Sequence, residues 1–152
     1  MNKCIVFFSW SNNTKELVDE INKKIDTYRV ERLIPYSKNY DRVAYVEAKE
    51  ERDRRTLPEI KELNVDFNQY DVILLFFPIW WYTFPMSIGT FVSKLNDYKG
   101  RIFVFCNSYT NDPIYLENAY SDLKRINKNI KFKKGLINKP VEEIKAFIEK
   151  IK

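Results

Sequence analysis

Three apolar runs constrain the fold of this chain more than any other feature of its sequence. After a charged first residue, Lys3–Phe8, Asp71–Phe77 and Arg101–Cys106 consist only of β-branched, leucine, cysteine and aromatic residues. A strand that is apolar on both faces has to be covered on both faces, as the central strands of a parallel sheet are. The sequence therefore predicts a parallel sheet enclosed between two layers.

Helical patterns alternate with these runs. Four segments repeat apolar residues every three or four positions, as an amphipathic helix does: Thr14–Ile25, Pro85–Leu95, Ile114–Ile126 and Val141–Ile151. Weaker strand signals lie at Tyr28–Ile34 and Ile130–Ile137, and the charge run Glu47–Arg55 is interpreted as the solvated face of one more helix. The expected fold class is α/β, a three-layer sandwich of an open parallel sheet with helices on both faces, in one domain over residues 1–152.

Composition excludes several kinds of catalytic site. The chain has no histidine, which removes Ser-His-Asp and Cys-His catalysis and argues against most zinc sites. The two cysteines, Cys4 and Cys106, lie inside apolar runs and are expected to be small buried core residues. No side chain stands out as a catalytic acid or base, so the sequence predicts neither a catalytic residue nor a metal site.

Charge and hydropathy indicate a cytoplasmic protein. The net charge of +5 arises from 26 basic and 21 acidic residues that are mixed along the chain. A nucleic-acid footprint would need basic residues clustered on one face, so no nucleic-acid partner is expected. The first apolar run is too short for the core of a signal peptide. No stretch approaches the roughly 18 apolar residues of a membrane span, and no membrane partner is expected.

The segments that follow the three apolar runs are where a ligand is expected. In open parallel sheets, ligands bind outside the carboxyl ends of the strands, near the point where the strand order reverses. The three segments are Ser9–Thr14 (SWSNNT), Pro78–Pro85 (PIWWYTFP) and Asn107–Asp112 (NSYTND). Because they follow central strands, all three are expected to meet in one crevice.

The first segment has the composition of a phosphate-binding loop. Hydroxyl and amide groups are provided by Ser9, Ser11, Asn12, Asn13 and Thr14. The helix that follows would direct its free N–H groups and its positive dipole end to the same place. The alternative is that Ser11 or Asn12 only caps this helix. The glycines of a Walker loop and of the dinucleotide fingerprint are absent, which excludes both motifs.

The second and third segments add an aromatic slot with polar edges. Trp80 and Trp81 are adjacent at the exit of a strand and are bracketed by prolines. One indole is expected to be buried beneath the loop, and the other to contact a planar ligand. Asn107, Ser108 and Tyr109 can form hydrogen bonds with the edge of a heterocycle. A phosphate loop beside an aromatic slot indicates a mononucleotide with a planar ring.

These loops resemble those of the short-chain flavodoxins, and the resemblance extends from Lys3 to the last helix. The family's first loop, Ser-x-Thr-Gly-Asn-Thr, is matched from Ser9 to Thr14 and is followed by Lys15. The family's second loop, Pro-Ile-Trp-Trp-Gly-Thr-x-Pro, is matched from Pro78 to Pro85 except at Tyr82. Residues 35–61 also resemble the family's second helix and the stretch after it.

The resemblance implies a five-stranded parallel sheet in the order 2-1-3-4-5, with FMN as the cofactor. It also implies electron transfer as the function. The protein is expected to be an electron carrier more than a small FMN-dependent oxidoreductase. The phosphate would be held by Ser9, Ser11, Asn12, Asn13 and Thr14. The isoalloxazine would be flanked by Pro78, Ile79, Trp80, Trp81, Tyr82, Asn107, Ser108 and Tyr109. Because this chain is basic, its redox partner protein is expected to present an acidic docking patch.

Three glycine positions of the family are filled by other residues here. Asn12 replaces the first, and Asn tolerates a positive φ well. Tyr82 replaces the second, where a positive φ is strained for a bulky residue, and its ring could cover or fill the flavin slot. Tyr109 and Thr110 replace a glycine pair and are expected to narrow the space for the pyrimidine edge of the flavin.

These replacements leave a second interpretation open. In it, the same fold has lost or weakened FMN binding and recognises another phosphate-bearing ligand. A response-regulator-like signalling domain shares the architecture, but it requires acidic residues at the ends of the first and third strands. Ser9 and Pro78 stand there instead, which argues against that class.

Overall fold

Five parallel strands form one sheet in a computed structural model that describes residues 1–21 and 24–152. The strands are β1 (Lys3–Phe7), β2 (Asp26–Arg29), β3 (Val72–Pro78), β4 (Arg101–Asn107) and β5 (Lys131–Ile137). Their order in the sheet is β2-β1-β3-β4-β5, and every neighbouring pair is parallel. The predicted architecture and strand order are therefore confirmed.

Helices connect the strands and cover both faces of the sheet. They are α1 (Asn13–Ile21), α2 (Tyr40–Arg42), α3 (Ala48–Arg54), α4 (Met86–Ser93), α5 (Ile114–Ile126) and α6 (Val141–Glu149). A π-helical turn, Val43–Glu47, joins α2 to α3, and a short 3₁₀ turn lies at Phe67–Gln69. The first helix was predicted as Thr14–Ile25; residues 22 and 23 lie outside the described part, and Ile25 already lies beyond the helix.

The second strand lies earlier in the chain than the predicted Tyr28–Ile34. Residues Asp26–Arg29 pair with β1, and the chain then leaves the sheet. Arg32 forms an antiparallel bridge with Ile60. The alternating pattern of Tyr28–Ile34 was interpreted as one strand. In the structure, its first residues pair with β1, and Arg32 pairs with Ile60.

The core lies in two layers, one on each face of the sheet. On one face, α1 and α6 bury Val18, Ile21, Ile144 and Ile148, and α4 and α5 cover the other face. Cys4 and Cys106 are both buried, as predicted, and burial raises the pKa of each thiol to about 12. Among the described residues, no helix is long and apolar enough to span a membrane.

The sheet register brings the three predicted loops to one edge. Phe7 of β1 lies beside Phe76 of β3, and Pro78 of β3 lies beside Asn107 of β4. The chain leaves β1 for β2 on one side, whereas β3 and β4 lie on the other. The strand order thus reverses at β1 and β3, so the loops after these strands meet at the expected position.

Candidate functional site

A cavity of about 380 Å³ lies where these loops meet. Its volume falls in the range of about 300–1,000 Å³ that is usual for ligand pockets. All but two of the predicted site residues line it: Ser9, Ser11, Asn13, Thr14, Pro78, Ile79, Trp80, Trp81, Asn107, Ser108 and Tyr109. The two that do not are Asn12 and Tyr82. That these residues contact a bound cofactor stays a prediction.

The first loop leaves a row of hydrogen-bond donors free. The backbone N–H groups of Ser11, Asn12, Asn13 and Thr14 have no hydrogen-bond acceptor within residues 1–21 and 24–152. They stand directly before and in the first turn of α1, where the helix dipole adds positive potential. Consecutive free N–H groups at a helix start form a site for an anion.

Side chains hold this loop in place. The buried Ser9 hydroxyl accepts the N–H of Lys15, and the buried Thr14 hydroxyl donates to Asn107 Oδ1 at 2.9 Å. The second bond ties the first loop to the third across the cavity. Asn12 has a φ of 71°, so the position needs the left-handed region that glycine and asparagine tolerate, as predicted.

The second loop is a two-residue turn with a strained backbone. Trp80 and Thr83 exchange two backbone hydrogen bonds, of 2.8 and 3.3 Å. Between them, Trp81 has a φ of 48° and Tyr82 a φ of 71°. Positive φ at both central residues is the pattern of a type I′ turn, which usually holds Asn-Gly. Two aromatic residues here cost roughly 1–2 kcal/mol each in backbone strain.

The π-helical turn fixes the orientation of Trp81. In a regular α-helix, the Ala44 carbonyl would accept the N–H of Ala48. Here the N–H of Ala48 donates to Val43 instead, and the Ala44 carbonyl accepts the indole N–H of Trp81. The helix and the second loop are thereby joined along one wall of the cavity, and π-helical turns are frequent at functional sites.

The two indoles of this loop have different surroundings. Trp80 packs against the core, with its ring centroid 5.1 Å from that of Phe8 and 5.4 Å from that of Tyr36. Trp81 lies further out, 5.8 Å from the ring of Tyr45. Trp80 is therefore the indole that packs beneath the loop, and Trp81 is the one expected to contact a ligand.

The third loop leaves the cavity open. The N–H of Ser108 donates to Asn138 Oδ1 at 2.7 Å, which fixes this loop against the residue that follows β5. Tyr109 lies at the rim of the cavity with 95% of its surface exposed. Thr110 is exposed and does not line the cavity. Thr110 therefore does not narrow the cavity, whereas the narrowing of the flavin space by Tyr109 stays a prediction.

The expectation that the Tyr82 ring fills the slot in the absence of flavin is wrong. Tyr82 does not line this cavity; it lines a separate cleft, to which Trp81 also contributes. The left-handed backbone of the turn directs consecutive side chains apart, so Trp81 faces the cavity and Tyr82 turns away from it.

Several lining residues were not predicted from the sequence. They are Trp10, Tyr40, Val43, Ala44, Tyr45 and Ala48. Five of them lie in the segment from α2 to α3, of which only the charge run Glu47–Arg55 was interpreted, as a solvated face. The tyrosines at positions 40 and 45 were the signal available in the sequence. In the structure, each is more than half exposed. Arg29 was also missed: its guanidinium donates to the Ser9 carbonyl at 3.0 Å and brings a positive charge to the first loop.

One residue of the predicted solvated face is buried. Glu51 is 7% exposed and accepts the hydroxyl of Tyr36 at 2.6 Å. It also lies 3.0 Å from Nη2 of Arg32, whose guanidinium stacks on the Tyr36 ring. Burial raises the pKa of Glu51 above its ordinary value. This network supports Tyr36, which in turn packs against Trp80 on the cavity wall.

The strand order and the cavity at its reversal point define the flavodoxin-like class of α/β proteins. A family model described as flavodoxin matches residues 2–151, and the chain belongs to this family. The match spans nearly all of the chain, as does the resemblance found in its loops.

Solved structures share this fold along almost their full length. A flavoprotein from Lactobacillus acidophilus NCFM, solved in complex with FMN, is 21% identical with a TM-score of 0.79, and the match covers 97% of this chain and 98% of that one. The apo-form of the flavoprotein from the same organism, solved by NMR, is 24% identical with a TM-score of 0.63, covering 90% and 92%. At these identities, the likeness establishes the fold.

One curated relative matches over a shorter region. It is described as an uncharacterized NAD(P)H oxidoreductase, YcaK, from Escherichia coli (strain K12). The two sequences are 24% identical over 87 residues, which is 54% of this chain and 44% of the relative. The chain thus matches less than half the length of this relative.

Proposed function

We propose that this protein binds FMN in the cavity and acts in electron transfer. The observation that carries the proposal is the row of free N–H groups from Ser11 to Thr14, in a loop that lines the same cavity as the indole of Trp81. A phosphate dianion and a planar ring would thus each find complementary groups in one cavity. Bound FMN would supply the redox chemistry, and the chain would bind, orient and shield it.

The residues present fit this cofactor. The four N–H groups and the Ser9 hydroxyl would hold the phosphate, Thr14 would fix the loop through its bond to Asn107, and Arg29 would add positive potential behind the loop. Trp81 and the rim residue Tyr109 would flank the ring, and Asn107 would offer an amide to its edge. Neither Tyr82 nor Tyr109 fills the cavity, which favours FMN binding over a protein that has lost it.

The comparisons support the proposal at two levels. Family membership supports a flavin in this cavity, and one similar structure is a flavoprotein with FMN. The name of the E. coli relative suggests an NAD(P)H-dependent oxidoreductase, which is one way in which electrons could reach the flavin. The other is a redox partner protein in the cytoplasm with an acidic docking patch, to which the net charge of +5 is suited.

An FMN titration of the flavin-free protein tests the proposal directly. All three tryptophans of the chain, Trp10, Trp80 and Trp81, line the cavity. Saturable quenching of nearly all tryptophan fluorescence is therefore expected. Riboflavin, which lacks the phosphate, should bind more weakly, because the first loop then has no anion to hold.

Two variants locate the binding. Thr14→Val removes the hydroxyl that ties the first loop to Asn107. The loop N–H groups are then less well positioned for the phosphate, so the preference for FMN over riboflavin should fall, whereas Thr14→Ser retains the hydroxyl and serves as the matched control. Absence of quenching at high FMN concentration would contradict the proposal. Thermal stabilisation by another phosphate compound would then favour the binding-module alternative.

A further inference from the structure

A second cleft lies on the far side of Trp81. It has a volume of about 810 Å³, and Trp81 lines both this cleft and the first cavity. Tyr82, the residue that replaces the family's glycine, lines only this second cleft. We propose that the cleft binds a nucleotide, with the base against Tyr82 and the phosphates against arginine side chains.

Tyr82 presents an aromatic face to the cleft. Its side chain lies beside Tyr115, with 6.1 Å between ring centroids, and the residue is 54% exposed. The guanidinium of Arg52 lies 5.9 Å from the centre of the Tyr82 ring. An aromatic ring flanked by a guanidinium is a surface on which a planar base can stack.

The turn holds Tyr82 in this position against backbone strain. The amide of Asn118 donates to the Tyr82 carbonyl at 3.2 Å, and the Thr83 hydroxyl donates to Asp122 at 2.9 Å. Both contacts come from α5, across the cleft from α3. Strained residues that the surrounding structure holds in place are concentrated at ligand sites and active sites. The strain at Tyr82 is therefore accounted for if its ring has a ligand to contact.

The arginines give the cleft a positive charge. Arg52, Arg55 and Arg125 line it together with two acids, Asp53 and Asp122. Arg125 pairs with Asp122, and Arg52 lies 3.3 Å from Asp53. Arg55 forms no ion pair or hydrogen bond through its side chain with any described residue. Its planar guanidinium is suited to bidentate contact with phosphate.

The two features together favour a nucleotide over simpler ligands. Inorganic phosphate would leave the Tyr82 ring unused, and a neutral aromatic compound would leave the unpaired Arg55 unused. The volume is within the range of about 300–1,000 Å³ for ligand pockets. Because Trp81 separates the two cavities, the bound nucleotide would lie next to the proposed FMN site. Binding of a nucleotide in this cleft does not depend on the proposed function. Only a redox role for that nucleotide rests on it.

Calorimetric titration with NADP⁺ tests the site, using the FMN-loaded protein so that the first cavity is filled. Saturable binding is expected, and Arg55→Gln should weaken it about tenfold through loss of a charge-assisted hydrogen bond. The matched control is Arg54→Gln, which removes the same charge one position away on a residue that lines neither cavity; its affinity should be unchanged. Adenosine, which has no phosphate, should bind weakly and be insensitive to Arg55→Gln.

Tyr82→Gly provides an independent readout. It removes the ring and relieves the backbone strain, so NADP⁺ binding should weaken while FMN affinity and thermal stability are retained. Loss of nucleotide binding in a protein that is equally stable cannot be attributed to misfolding.

Three results would overturn the inference. They are no NADP⁺ binding at millimolar concentration, equal effects of Arg54→Gln and Arg55→Gln, or NADP⁺ binding that FMN abolishes. FMN binding without NADP⁺ binding would reject the cleft and leave the proposed function intact. If FMN fails to bind, the same titration is run on the flavin-free protein. NADP⁺ binding there that depends on Arg55 and Tyr82 would support the cleft while the proposed function fails.

Discussion

Trp81 and Tyr82 occupy backbone conformations that aromatic residues rarely adopt. Their φ angles of 48° and 71° place both in the left-handed region, where a Cβ atom approaches the backbone. The sequence alone indicated strain at Tyr82, because glycine stands there in the resembling family. It could not indicate the direction of the ring, since that depends on the hydrogen bonds that α5 and the π-helical turn make with the loop.

The strain at Tyr82 can be measured with two variants that both lose the ring. Tyr82→Gly and Tyr82→Ala remove the same aromatic contacts, but only alanine retains a Cβ at positive φ. The glycine variant should be more stable than the alanine variant by about 1 kcal/mol. Urea unfolding of both proteins gives the difference. Equal stability would show that the backbone at this position is relaxed.

At the scale of the elements, the three central strands were predicted well, and the second strand and second helix poorly. Continuous apolar runs identify β1, β3 and β4 because burial on both faces leaves no other arrangement for them. The helix around residues 40–54 is interrupted by the π-helical turn Val43–Glu47, and the partner that accounts for this turn lies outside the segment. The Ala44 carbonyl is released to the indole of Trp81, which is distant in sequence. No local pattern encodes that partner, so the cavity wall formed by this helix was missed.

Glu51, at the centre of α3, has a buried carboxyl group that attaches this helix to Tyr36. The pKa of Glu51 in the folded protein is raised above the ordinary value of 4.5. The folded state therefore binds this proton more tightly than the unfolded state does. The contribution of the protonated Glu51 carboxyl to the free energy of unfolding is complete below about pH 4.5. It is lost as the pH rises through the pKa of Glu51 in the folded state.

Glu51→Gln should remove this pH dependence, because glutamine stays neutral. The stability of the variant relative to the natural protein should increase between pH 4 and pH 7. Chemical unfolding at several pH values measures it. Glu50→Gln is the matched control, since Glu50 is exposed on the same helix. Parallel curves for the natural protein and Glu51→Gln would exclude the raised pKa.

At the scale of the whole molecule, the net charge is the basis for predicting a redox partner with an acidic patch. The chain has a net charge of +5, and Lys49 lies 5.9 Å from the centre of the Trp81 ring at the cavity wall. A partner with an acidic patch would be attracted over a distance set by ionic strength, with a screening length of about 8 Å at physiological salt.

Small charged oxidants can probe this attraction. Oxidation of the reduced, FMN-loaded protein by ferricyanide, an anion, should slow as salt is added. Oxidation by hexaammineruthenium(III), a cation, should accelerate. Stopped-flow absorbance measures both rates over the same salt series. If neither rate changes with salt, charge does not guide encounters at this edge, and the expected acidic patch on the partner loses its basis.

The hydrogen bond between Ser108 and Asn138 has a consequence for the protein during its synthesis. Asn138 has a φ of 53°, and its amide also lies 3.4 Å from the Thr110 carbonyl. The third loop is thus fixed by a residue that leaves the ribosome about thirty positions after the loop itself. A nascent chain that ends before Asn138 would already contain every residue of the cavity without the contact that sets its far side. Full competence for a ligand would then arrive only after the edge strand and Asn138 have been synthesised.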